Sequence, residues 1–369
     1  MLRRGSVIRG ARDVYKVLGL IKEGGMCCVY LAENSAGERV VVKTPAVKRD
    51  GYDDLRRERL LKEASILSRL DHPYIVTYIE HWRDGGEIYL VEEYAGDRSL
   101  KDLVEAKGPF SSSAVRDLFT KILDAFSYLH YRNIAHGDIK PKNILFKRGE
   151  PIVIDFNSAV DLATAPPTLK HVIVTPDWAA PEQIREKRVN WRTDVYQLGA
   201  VIFYTLTGKN PNTAPTASLP RSRLSQIALK ALSPDPEQRY ANASEMAKDL
   251  QRKAYIVYNG KEYSVETIAT IGRASDNDIV VYDPNRYVHK YHCTIVAEPD
   301  GYYLLPGKYT IVGGKLVRIR PISYNYPHVL RHGGFKPVTT REKLSPKDTI
   351  ALCYNPRRGP YKILYFTIK

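Results

Sequence analysis

The sequence predicts an α+β chain of two domains, in which a mixed strand-and-helix domain is followed by an all-β sandwich. The length of 369 residues suits about two domains. Strand-like and helix-like patterns alternate up to about residue 254. Beyond it, short runs rich in Val, Ile and Tyr are separated by the turn signals Asn259-Gly260, Asp300-Gly301, Gly313-Gly314 and Gly333-Gly334. We therefore expect an N-terminal extension at 1–12, a first domain at 13–253 and a second at 254–369.

The composition excludes several classes of protein. Hydrophobic residues make up 43% and charged residues 26%, which permits a buried core and excludes global disorder. The longest apolar run, near residues 198–206, is far shorter than the roughly 20 residues of a membrane-spanning helix, so we expect no membrane span. Four scattered cysteines show neither a disulfide framework nor a metal-site spacing, which favours a reducing, cytoplasmic location.

The net charge of +15 narrows the possible partners. Residues 255–369 hold 17 Lys and Arg against 9 Asp and Glu, so this smaller segment carries more than half of the excess. Such a charge suits nucleic acid, an anionic surface or phosphate-bearing ligands.

The first domain divides into a strand-rich part and a helix-rich part. Strand patterns at 14–47 and 74–95 flank a helical pattern at 53–70, and from about residue 99 the pattern becomes mainly helical. The later helices are expected at 99–106, 112–131, 192–207, 222–232 and 243–253.

A lysine and a glutamate in the strand-rich part suit phosphate chemistry. Lys43 ends the apolar strand Val40-Val41-Val42, where a lysine either extends to water or supplies a point charge for phosphates. Glu63 lies on the following helix and offers Lys43 a carboxylate.

Two further stretches place acids beside strands. In the loop 136–143, Asp138, Lys140 and Asn143 bring together a base, a cation and a neutral metal ligand, although a solvated polar turn is the alternative. Asp155 follows the apolar run Ile152-Val153-Ile154, and an acid at the exit of a strand is a natural magnesium ligand.

In this order the stretches resemble the eukaryotic-type protein kinase family over about residues 13–253. Ala180-Pro181-Glu182 and Thr193-Asp194-Val195-Tyr196 extend the resemblance. It implies a bilobal kinase fold and transfer of the ATP γ-phosphate to Ser or Thr hydroxyls of protein substrates. Lys140 and Thr175 are similar to the serine/threonine subclass.

The resemblance also implies a role for each residue. Lys43, positioned by Glu63, would hold the α- and β-phosphates, Asp138 would accept the proton of the substrate hydroxyl, and Lys140 would steady the γ-phosphate. ATP and its metal, Mg²⁺ or Mn²⁺, would be bound by Gly24, Val29, Lys43, Tyr94, Asn143 and Asp155, the last two being the metal ligands.

Several residues depart from the family pattern. Lys22 and Cys27 replace two of three glycines in the phosphate-covering loop, so ATP is expected to bind more loosely. Gly137 replaces the arginine of His-Arg-Asp, which suggests activity that does not depend on phosphorylation of the activation segment. Asn157 replaces a glycine. Glu92, at the gatekeeper position, needs a partner if buried, and Lys43 is the expected one. A pseudokinase that binds nucleotide or partners without catalysis is therefore the alternative, although every residue that carries chemistry is present.

Two stretches of the second domain carry a further pattern. Residues 271–281 contain a strand, a Gly-Arg turn and an Asn-Asp-Ile ending, and residues 288–295 contain His-Lys-Tyr-His. Both stretches resemble the forkhead-associated (FHA) family, which has Ser-Arg-x-His at the second one and is a β-sandwich whose loops bind phosphothreonine peptides. The candidate phosphopeptide-binding residues are Arg273, Ser275, Asn277, His289, Lys290 and His292.

The positive charge of these residues supports phosphopeptide binding, whereas a purely structural role of the domain is the alternative. Arg273, Lys290, Lys308 and a protonated His289 would make a cationic pocket that suits phosphate. In the alternative, the sandwich serves for docking, Arg273 is merely exposed and His292 packs beneath its loop. Residues 321–340 have no counterpart in the resemblance.

The two domains suggest a combined function. The kinase would phosphorylate threonine, and the second domain would bind the phosphothreonine on a substrate or on a second copy of the chain. Binding to a second copy would give self-association. Candidate autophosphorylation sites are Thr164, Thr168, Thr213 and Thr216. A nucleic-acid module with stacking tyrosines is a further alternative, but the sequence shows no RNA- or DNA-binding signature in support of it.

Overall fold

The computed structural model describes residues 1–48, 50–166, 168–169, 175–215, 218–298, 300–312, 315–322 and 324–369. The proposed site Thr216 and the turn signal Gly313-Gly314 lie outside these residues. The chain divides into two compact units, Met1–Thr213 with Ala231–Ala247, and Ala214–Lys230 with Lys248–Lys369.

The first unit begins with an antiparallel six-stranded sheet of order β1-β2-β3-β4-β6-β5. Its strands are β1 (Val7–Arg9), β2 (Val14–Glu23), β3 (Cys27–Glu33), β4 (Arg39–Pro45), β5 (Tyr78–Asp84) and β6 (Glu87–Glu93). In this register Lys43 lies opposite Val29 on β3 and Leu90 on β6. Lys43 therefore occupies a central strand of the sheet.

The described residues form seven α-helices, six of them where the periodicity predicts a helix and a short one at 181–186 where it does not. They are α1 (Asp53–Leu67), α2 (Leu100–Lys107), α3 (Ser112–Tyr131), α4 (Pro181–Glu186), α5 (Trp191–Thr207), α6 (Arg223–Ala231) and α7 (Ala243–Gln251). Buried residues recur on α1 at Arg56, Leu60, Glu63 and Leu67, so one face of this helix packs on the sheet. That face directs Glu63 inward.

Side-chain caps set the ends of two helices. The Ser99 hydroxyl accepts from the Asp102 amide, and the Asp102 carboxylate accepts from the Ser99 amide, which closes a capping box before α2. Asn190 caps α5, and Gly208, at a φ of +68°, ends it.

Short strand pairs hold the two acid-bearing loops of the first unit. Strand β7 (Ile134–Ala135) pairs with β10 (Val160–Asp161), and β8 (Ile144–Lys147) pairs with β9 (Glu150–Val153). Residues 136–143 and 154–159 therefore leave the ends of neighbouring strands, which brings Asp138 and Asp155 to one region.

The second unit contains a β-sandwich. Its strands are β11 (Ala254–Tyr258), β12 (Lys261–Ser264), β13 (Ile268–Gly272), β14 (Ile279–Val280), β15 (Cys293–Glu298), β16 (Gly301–Pro306), β17 (Lys308–Val312), β18 (Lys315–Arg320), β19 (His328–Arg331), β20 (Gly334–Pro337), β21 (Glu342–Leu344), β22 (Thr349–Asn355) and β23 (Gly359–Ile368).

Two sheets enclose the core of this sandwich. One has six strands in the order β12-β11-β23-β22-β19-β20, and the other has five in the order β14-β13-β15-β16-β21. Strands β17 and β18 form a separate ribbon. Alternating residues such as Ile256, Ile295, Leu304 and Phe366 are fully buried in one apolar cluster.

The structure agrees with the expected order of a mixed domain and an all-β domain, and it adds detail in two places. Residues 7–9, within the expected extension 1–12, form β1 at the edge of the first sheet. Residues 328–337, within the unassigned segment 321–340, form a hairpin at the edge of the six-stranded sheet. Among the helices in the described ranges, none combines the length and apolarity needed to cross a bilayer.

Candidate functional site

Lys43 is shared by two buried glutamates. Its Nζ lies 2.7 Å from Glu63 Oε1 and 2.9 Å from Glu92 Oε1, and all three side chains are buried. The same Glu63 oxygen accepts the backbone N–H of Phe156 at 3.1 Å. Lys43 thus joins strand β4 to helix α1 and strand β6, and Glu63 joins helix α1 to the loop after Asp155.

Burial and like charge perturb the acids of this cluster. Burial raises the pKa of Glu63 to about 7, with Glu92 and Asp155 adding to the effect, and burial also raises the pKa of Glu92. Burial alone would lower the pKa of Lys43, but the carboxylates Glu63, Glu92 and Asp155 hold it well above its ordinary value. One permanent cation therefore balances several acids, which leaves the cluster receptive to further positive charge.

Asp138 is held by a cation and a hydroxyl. Lys140 Nζ donates to Asp138 Oδ2 at 2.6 Å, and the Thr175 hydroxyl donates to Asp138 Oδ1 at 2.8 Å. Lys140 also donates to the Thr175 oxygen at 2.9 Å, so the three side chains form a closed triangle. Asp138 is 4% exposed, and its carboxylate therefore has a fixed orientation.

Buried side chains fix the backbone next to Asp138. Asp194 accepts the backbone N–H groups of His136 and Gly137 at 2.8 and 2.9 Å. The Gly137 carbonyl accepts from the amides of Gln183 at 2.8 Å and Gln197 at 3.1 Å. The position where the family has an arginine is thus a glycine whose peptide groups are tied on both sides.

Asn143 and Asp155 present oxygen atoms that suit Mg²⁺. The Asn143 amide nitrogen donates to the Asp138 carbonyl at 2.9 Å, which leaves its Oδ1 to face the other way. Asp155, at a φ of +70°, accepts from Asn157 through one carboxylate oxygen, and the second oxygen remains for a ligand. One carboxylate and one amide match the habit of Mg²⁺, which takes few protein ligands and completes its shell with phosphates and water. Within the described ranges, no group of three or more His, Cys, Asp or Glu could hold a metal by itself.

The glycine-poor loop between β2 and β3 is anchored by a residue that sequence analysis missed. The Gly24 N–H donates to the Cys27 carbonyl at 2.9 Å, which closes the turn. Arg56 on α1 donates from Nε to the Gly25 carbonyl at 2.8 Å. Its guanidinium also pairs with Asp50 and Asp53. A signal was present, because Arg56 shares the heptad face of Glu63.

The remaining predicted nucleotide residues flank this cluster. Val29 lies beside Lys43 on the neighbouring strand, and Tyr94 directly follows β6. The structure therefore brings Gly24, Val29 and Lys43 onto adjacent strands or their loop, with Asp155 close enough to Lys43 to raise its pKa.

A cationic cavity of about 310 Å³ lies at one end of the second unit. The residues that line the cavity come from three parts of the chain: the loop after β13, the loop between β14 and β15, and the end of β18 with the segment that follows it. The lining residues are Arg273, Arg286, His289, Lys290, Tyr291, Arg320, Pro321 and Tyr324. The lining contains four permanently charged cations and no acid.

Three of the six predicted phosphopeptide residues line this cavity, namely Arg273, His289 and Lys290. Arg273 Nε donates to the Val288 carbonyl at 2.5 Å, which orients the guanidinium. The ring nitrogen Nε2 of His289 lies 3.0 Å from the Tyr324 carbonyl. Burial lowers the pKa of His289 and disfavours the protonated form expected from the sequence.

The other three predicted residues lie outside the lining. Ser275 is exposed on its loop. Asn277 is buried and donates to the carbonyls of Ala274 and Lys290, both at 2.8 Å, so it joins two of the cavity loops. His292 is fully buried, and it accepts from the His289 N–H at 3.1 Å while its Nε2 contacts the Leu352 carbonyl. Burial lowers its pKa to about 3, so this neutral ring packs beneath its loop.

The cations that line the cavity also differ from those expected from the sequence. Lys308 pairs with Asp276 at 2.8 Å and lies over the Tyr291 ring, and it is not among the lining residues. Arg286 and Arg320 take its place. Sequence analysis missed both, because they follow no motif and only the three-loop arrangement brings them to Arg273.

Comparisons with known proteins agree with both resemblances. A model of the protein kinase domain matches residues 15–268, and a model of the FHA domain matches residues 269–334. These matches confirm the predicted fold class and the order of the two domains. The kinase match runs past Ala254 and includes β11 and β12, which the structure places in the sandwich.

Among curated proteins, bacterial serine/threonine-protein kinases are similar to the chain. PrkC of Bacillus subtilis is 33% identical over 264 residues, which is 64% of this chain and 40% of that protein. PknB of Mycobacterium tuberculosis is 30% identical over 295 residues, or 70% of this chain and 45% of that protein. The chain thus spans less than half the length of these relatives.

Proposed function

The chain belongs to the protein kinase family, and from that premise we propose that it transfers the γ-phosphate of ATP to serine and threonine hydroxyls of protein substrates. The observation that carries the proposal is the ion pair of Lys43 and Glu63 at 2.7 Å, formed together with the fixed Asp138 carboxylate. Phosphoryl transfer needs charge neutralisation and in-line positioning more than covalent chemistry, and these residues supply both.

Each residue has a role that its contacts support. Lys43 would hold the α- and β-phosphates, with Glu63 keeping the ammonium in place. Asp138 would accept the proton of the substrate hydroxyl through the oxygen that Thr175 now holds, and Lys140 would neutralise charge on the γ-phosphate. Thr175 contacts both Asp138 and Lys140, so a substrate hydroxyl would take the place of its own hydroxyl.

The oxygens of Asn143 and Asp155 would hold Mg²⁺ or Mn²⁺. The metal would neutralise the charge on the phosphates. Asn157, at the position where the family has a glycine, donates from its side-chain amide to Asp155 and would orient that carboxylate toward the metal.

Incubation of the purified chain with ATP and Mg²⁺, followed by mass spectrometry, tests the proposal. We expect phosphate on Ser or Thr, and the loss of this signal in Asp138→Asn. Asp117→Asn, which changes an exposed acid on α3, is the matched control. Equal phosphorylation by the parent chain and Asp138→Asn, or by neither, would instead favour a pseudokinase that binds nucleotide and phosphoprotein partners.

We further propose that the FHA domain binds phosphothreonine, on a substrate or on a second copy of the chain. The cationic cavity supports this, because Arg forks and Lys ammonium groups both suit phosphate. Thr164, Thr168 and Thr213 are exposed and would be sites for autophosphorylation and self-association. Arg273→Ala should abolish phosphopeptide binding, whereas Lys261→Ala, an exposed cation outside the cavity, should leave it unchanged.

Two points of organisation remain proposals from the sequence. The kinase domain would span 13–253 and the FHA domain 254–369. A cytoplasmic location follows from the cysteine spacing, and Cys27, Cys28, Cys293 and Cys353 are all free thiols.

A further inference from the structure

The ammonium group of Lys43 has three N–H donors, and buried carboxylates already use two of them. Glu63 accepts one at 2.7 Å and Glu92 accepts another at 2.9 Å. Lys43 is 6% exposed and both glutamates are buried more deeply, so water does not readily replace either partner. One N–H therefore remains for a nucleotide, whereas contact with both the α- and the β-phosphate, as proposed above, requires two.

Glu92 is the partner that can release Lys43 at the lower cost. The Glu63 oxygen that accepts from Lys43 also accepts the backbone N–H of Phe156 at 3.1 Å, so Glu63 is held from two sides. Among the residues that the structure describes, Lys43 is the only hydrogen-bond partner of the Glu92 carboxylate. Breaking one hydrogen bond thus frees Glu92, whereas release of Glu63 would also break its contact with the loop after Asp155.

The surroundings of Glu92 offer no second cation to replace Lys43. The titratable groups that act on its carboxylate are Lys43 on β4, Glu63 on α1, Asp155 after β9, Cys27 on β3 and Glu93 beside it on β6. On β5, Tyr78 lies opposite it in the register, and the Tyr78 hydroxyl contacts His81. Burial raises the pKa of the Cys27 thiol to about 12, which keeps it neutral. Lys43 is thus the one cation in this set.

A buried carboxylate that loses its cation becomes protonated, because burial disfavours the charged form. Burial already raises the pKa of Glu92, and Lys43 opposes that rise. When Lys43 turns to another anion, the pKa of Glu92 rises further. Release of Lys43 and uptake of a proton by Glu92 are therefore coupled.

We propose that Glu92 is a positioning residue that competes with nucleotide phosphates for Lys43, so that nucleotide binding releases Glu92 and adds a proton to its carboxylate. The inference rests on the proposed contact of Lys43 with the phosphates and adds the regulation of that contact. One hydrogen bond from Lys43 to Glu92 is exchanged for one to a phosphate oxygen, and one proton passes from solvent to Glu92.

The exchange makes nucleotide affinity depend on pH. Because binding takes up a proton, the affinity is highest where Glu92 is already protonated. It falls as the pH rises above the pKa of Glu92, by at most about tenfold per pH unit for one proton. A glutamate with a merely structural role would take up no proton when the nucleotide binds.

Calorimetric titration of the full chain with Mg·ADP and with adenosine tests the inference. Adenosine lacks phosphates, so the ratio of the two affinities isolates the contribution of the phosphates. Titrations at pH 8 in buffers of different ionisation enthalpy count the protons that are exchanged. The parent should take up a fraction of a proton with Mg·ADP that it does not take up with adenosine.

Variants assign that proton to Glu92. Glu92→Gln keeps the size of the side chain but cannot ionise, and it should bind Mg·ADP about tenfold more tightly at pH 8, as expected for one charged hydrogen bond. Its proton uptake should be lost, its affinity for adenosine should be unchanged, and its advantage should shrink at pH 6. Glu92→Met, which removes the acceptor, should gain at least as much. Glu58→Gln, an exposed acid on α1, is the control and should match the parent.

Kinase activity separates this role from a structural one. Glu92→Gln should lower the KM for ATP at pH 8 more than it changes kcat, because Glu92 acts on the binding of the phosphates. Thermal unfolding, together with the unchanged affinity for adenosine, establishes that each variant is folded.

The outcomes that would overturn the inference are distinguishable from failure of the proposed function. If parent and Glu92→Gln bind Mg·ADP equally and exchange the same number of protons, competition by Glu92 is rejected and the proposed function stands. Weaker binding of Mg·ADP by a folded Glu92→Gln would show that Glu92 assists Lys43, which also rejects the competition. Equal affinity of the parent for Mg·ADP and adenosine at pH 6 and pH 8 would reject the contact of Lys43 with phosphates, and the proposed function with it.

Discussion

Glu63 and Glu92 both place a carboxylate oxygen within hydrogen-bonding distance of Lys43, and this sharing makes the site sensitive to pH. Folding raises the pKa of Glu63 from 4.5 to about 7. The stability associated with this group is therefore fully present below about pH 4.5 and is lost as the pH rises through about 7.

Glu92→Gln should reduce this loss. Removing one buried like charge lowers the pKa of Glu63, and each unit of decrease restores about 1.4 kcal/mol of stability at high pH. The measurement is the free energy of unfolding of parent and variant at pH 5 and pH 8. Glu58→Gln, on the exposed face of α1, is the control and should keep the parent difference. An unchanged difference in Glu92→Gln would show that Glu92 does not set the ionisation of Glu63.

Gly137 supplies a second prediction, because its φ is +75° and a Cβ would lie 3.0 Å from the Ser158 carbonyl oxygen. Gly137→Ala should cost about 1–2 kcal/mol in backbone strain, with a further cost from this contact. Gly149 has a φ of +86° and nothing within 4 Å, so Gly149→Ala should show the strain alone. Thermal unfolding of the two variants is the measurement, and Gly137→Ala should be the more destabilised. Equal destabilisation would show that the contact with the Ser158 carbonyl oxygen costs nothing.

The residues proposed to carry the kinase chemistry could be selected from sequence, because Lys43, Asp138 and Asp155 each occupy a fixed place in a motif. Glu92 could be assigned to Lys43 for a physical reason, since a buried carboxylate requires a partner. Arg286 and Arg320 could not be predicted, because their proximity to Arg273 depends on the path of three loops.

At the scale of elements, α1 does more than carry Glu63. Arg56, one heptad before Glu63 on the same face, donates to the Gly25 carbonyl at 2.8 Å and so connects the helix to the phosphate-covering loop. This contact gives a loop that lacks two of the family's glycines a fixed position over the site. The Arg56 guanidinium also holds the pKa of Asp50 down to about 2, which keeps the network ionised.

Arg56→Ala should therefore raise the KM for ATP more than it lowers kcat. A loss of tenfold in kcat/KM corresponds to about 1.4 kcal/mol, which is close to the lower end, about 1.5 kcal/mol, for one charged hydrogen bond. Arg57→Ala is the control, because Arg57 is half exposed and contacts only Asp54 among the ion pairs of the described residues. Arg56→Lys should rescue little, since Lys lacks the fork that bonds a carbonyl and two carboxylates together. An unchanged KM for ATP in Arg56→Ala would contradict the proposal that Arg56 holds the phosphate-covering loop in place.

Whole elements were predictable wherever the hydrophobic period was sustained, as in α3 and α5. Strand β1 was not, because it has three residues and Val7 is 55% exposed, so its pairing with β2 leaves little pattern in the sequence. The hairpin of β19 and β20 was signalled only by the turn at Gly333-Gly334, because its two short strands bury few side chains.

At the scale of the whole molecule, the sandwich is assembled from the two ends of its segment. Strand β11 lies between β12 and β23, and the backbone groups of Lys253 and Lys369 exchange hydrogen bonds of 2.7 and 2.9 Å. The family match at residues 269–334 omits four of the six strands in this sheet, namely β11, β12, β22 and β23. The excess of positive charge in 255–369, first seen in the composition, is gathered in part around the cavity of this sandwich.

A fragment of residues 269–334 should therefore remain unfolded, whereas residues 254–369 should fold, because only the longer one can bury Ile256 and Phe366. Circular dichroism and thermal unfolding of both fragments provide the measurement.

Helix α6 adds a further comparison, since Gln226 donates to the Glu298 carbonyl at 3.0 Å and Arg221 pairs with the Glu298 carboxylate at 3.0 Å. Residues 214–369 should unfold at a higher temperature than residues 254–369 because they keep these contacts. A cooperative transition in the shortest fragment would contradict the requirement for the terminal strands, and equal stability of the two longer ones would place α6 with the kinase domain alone.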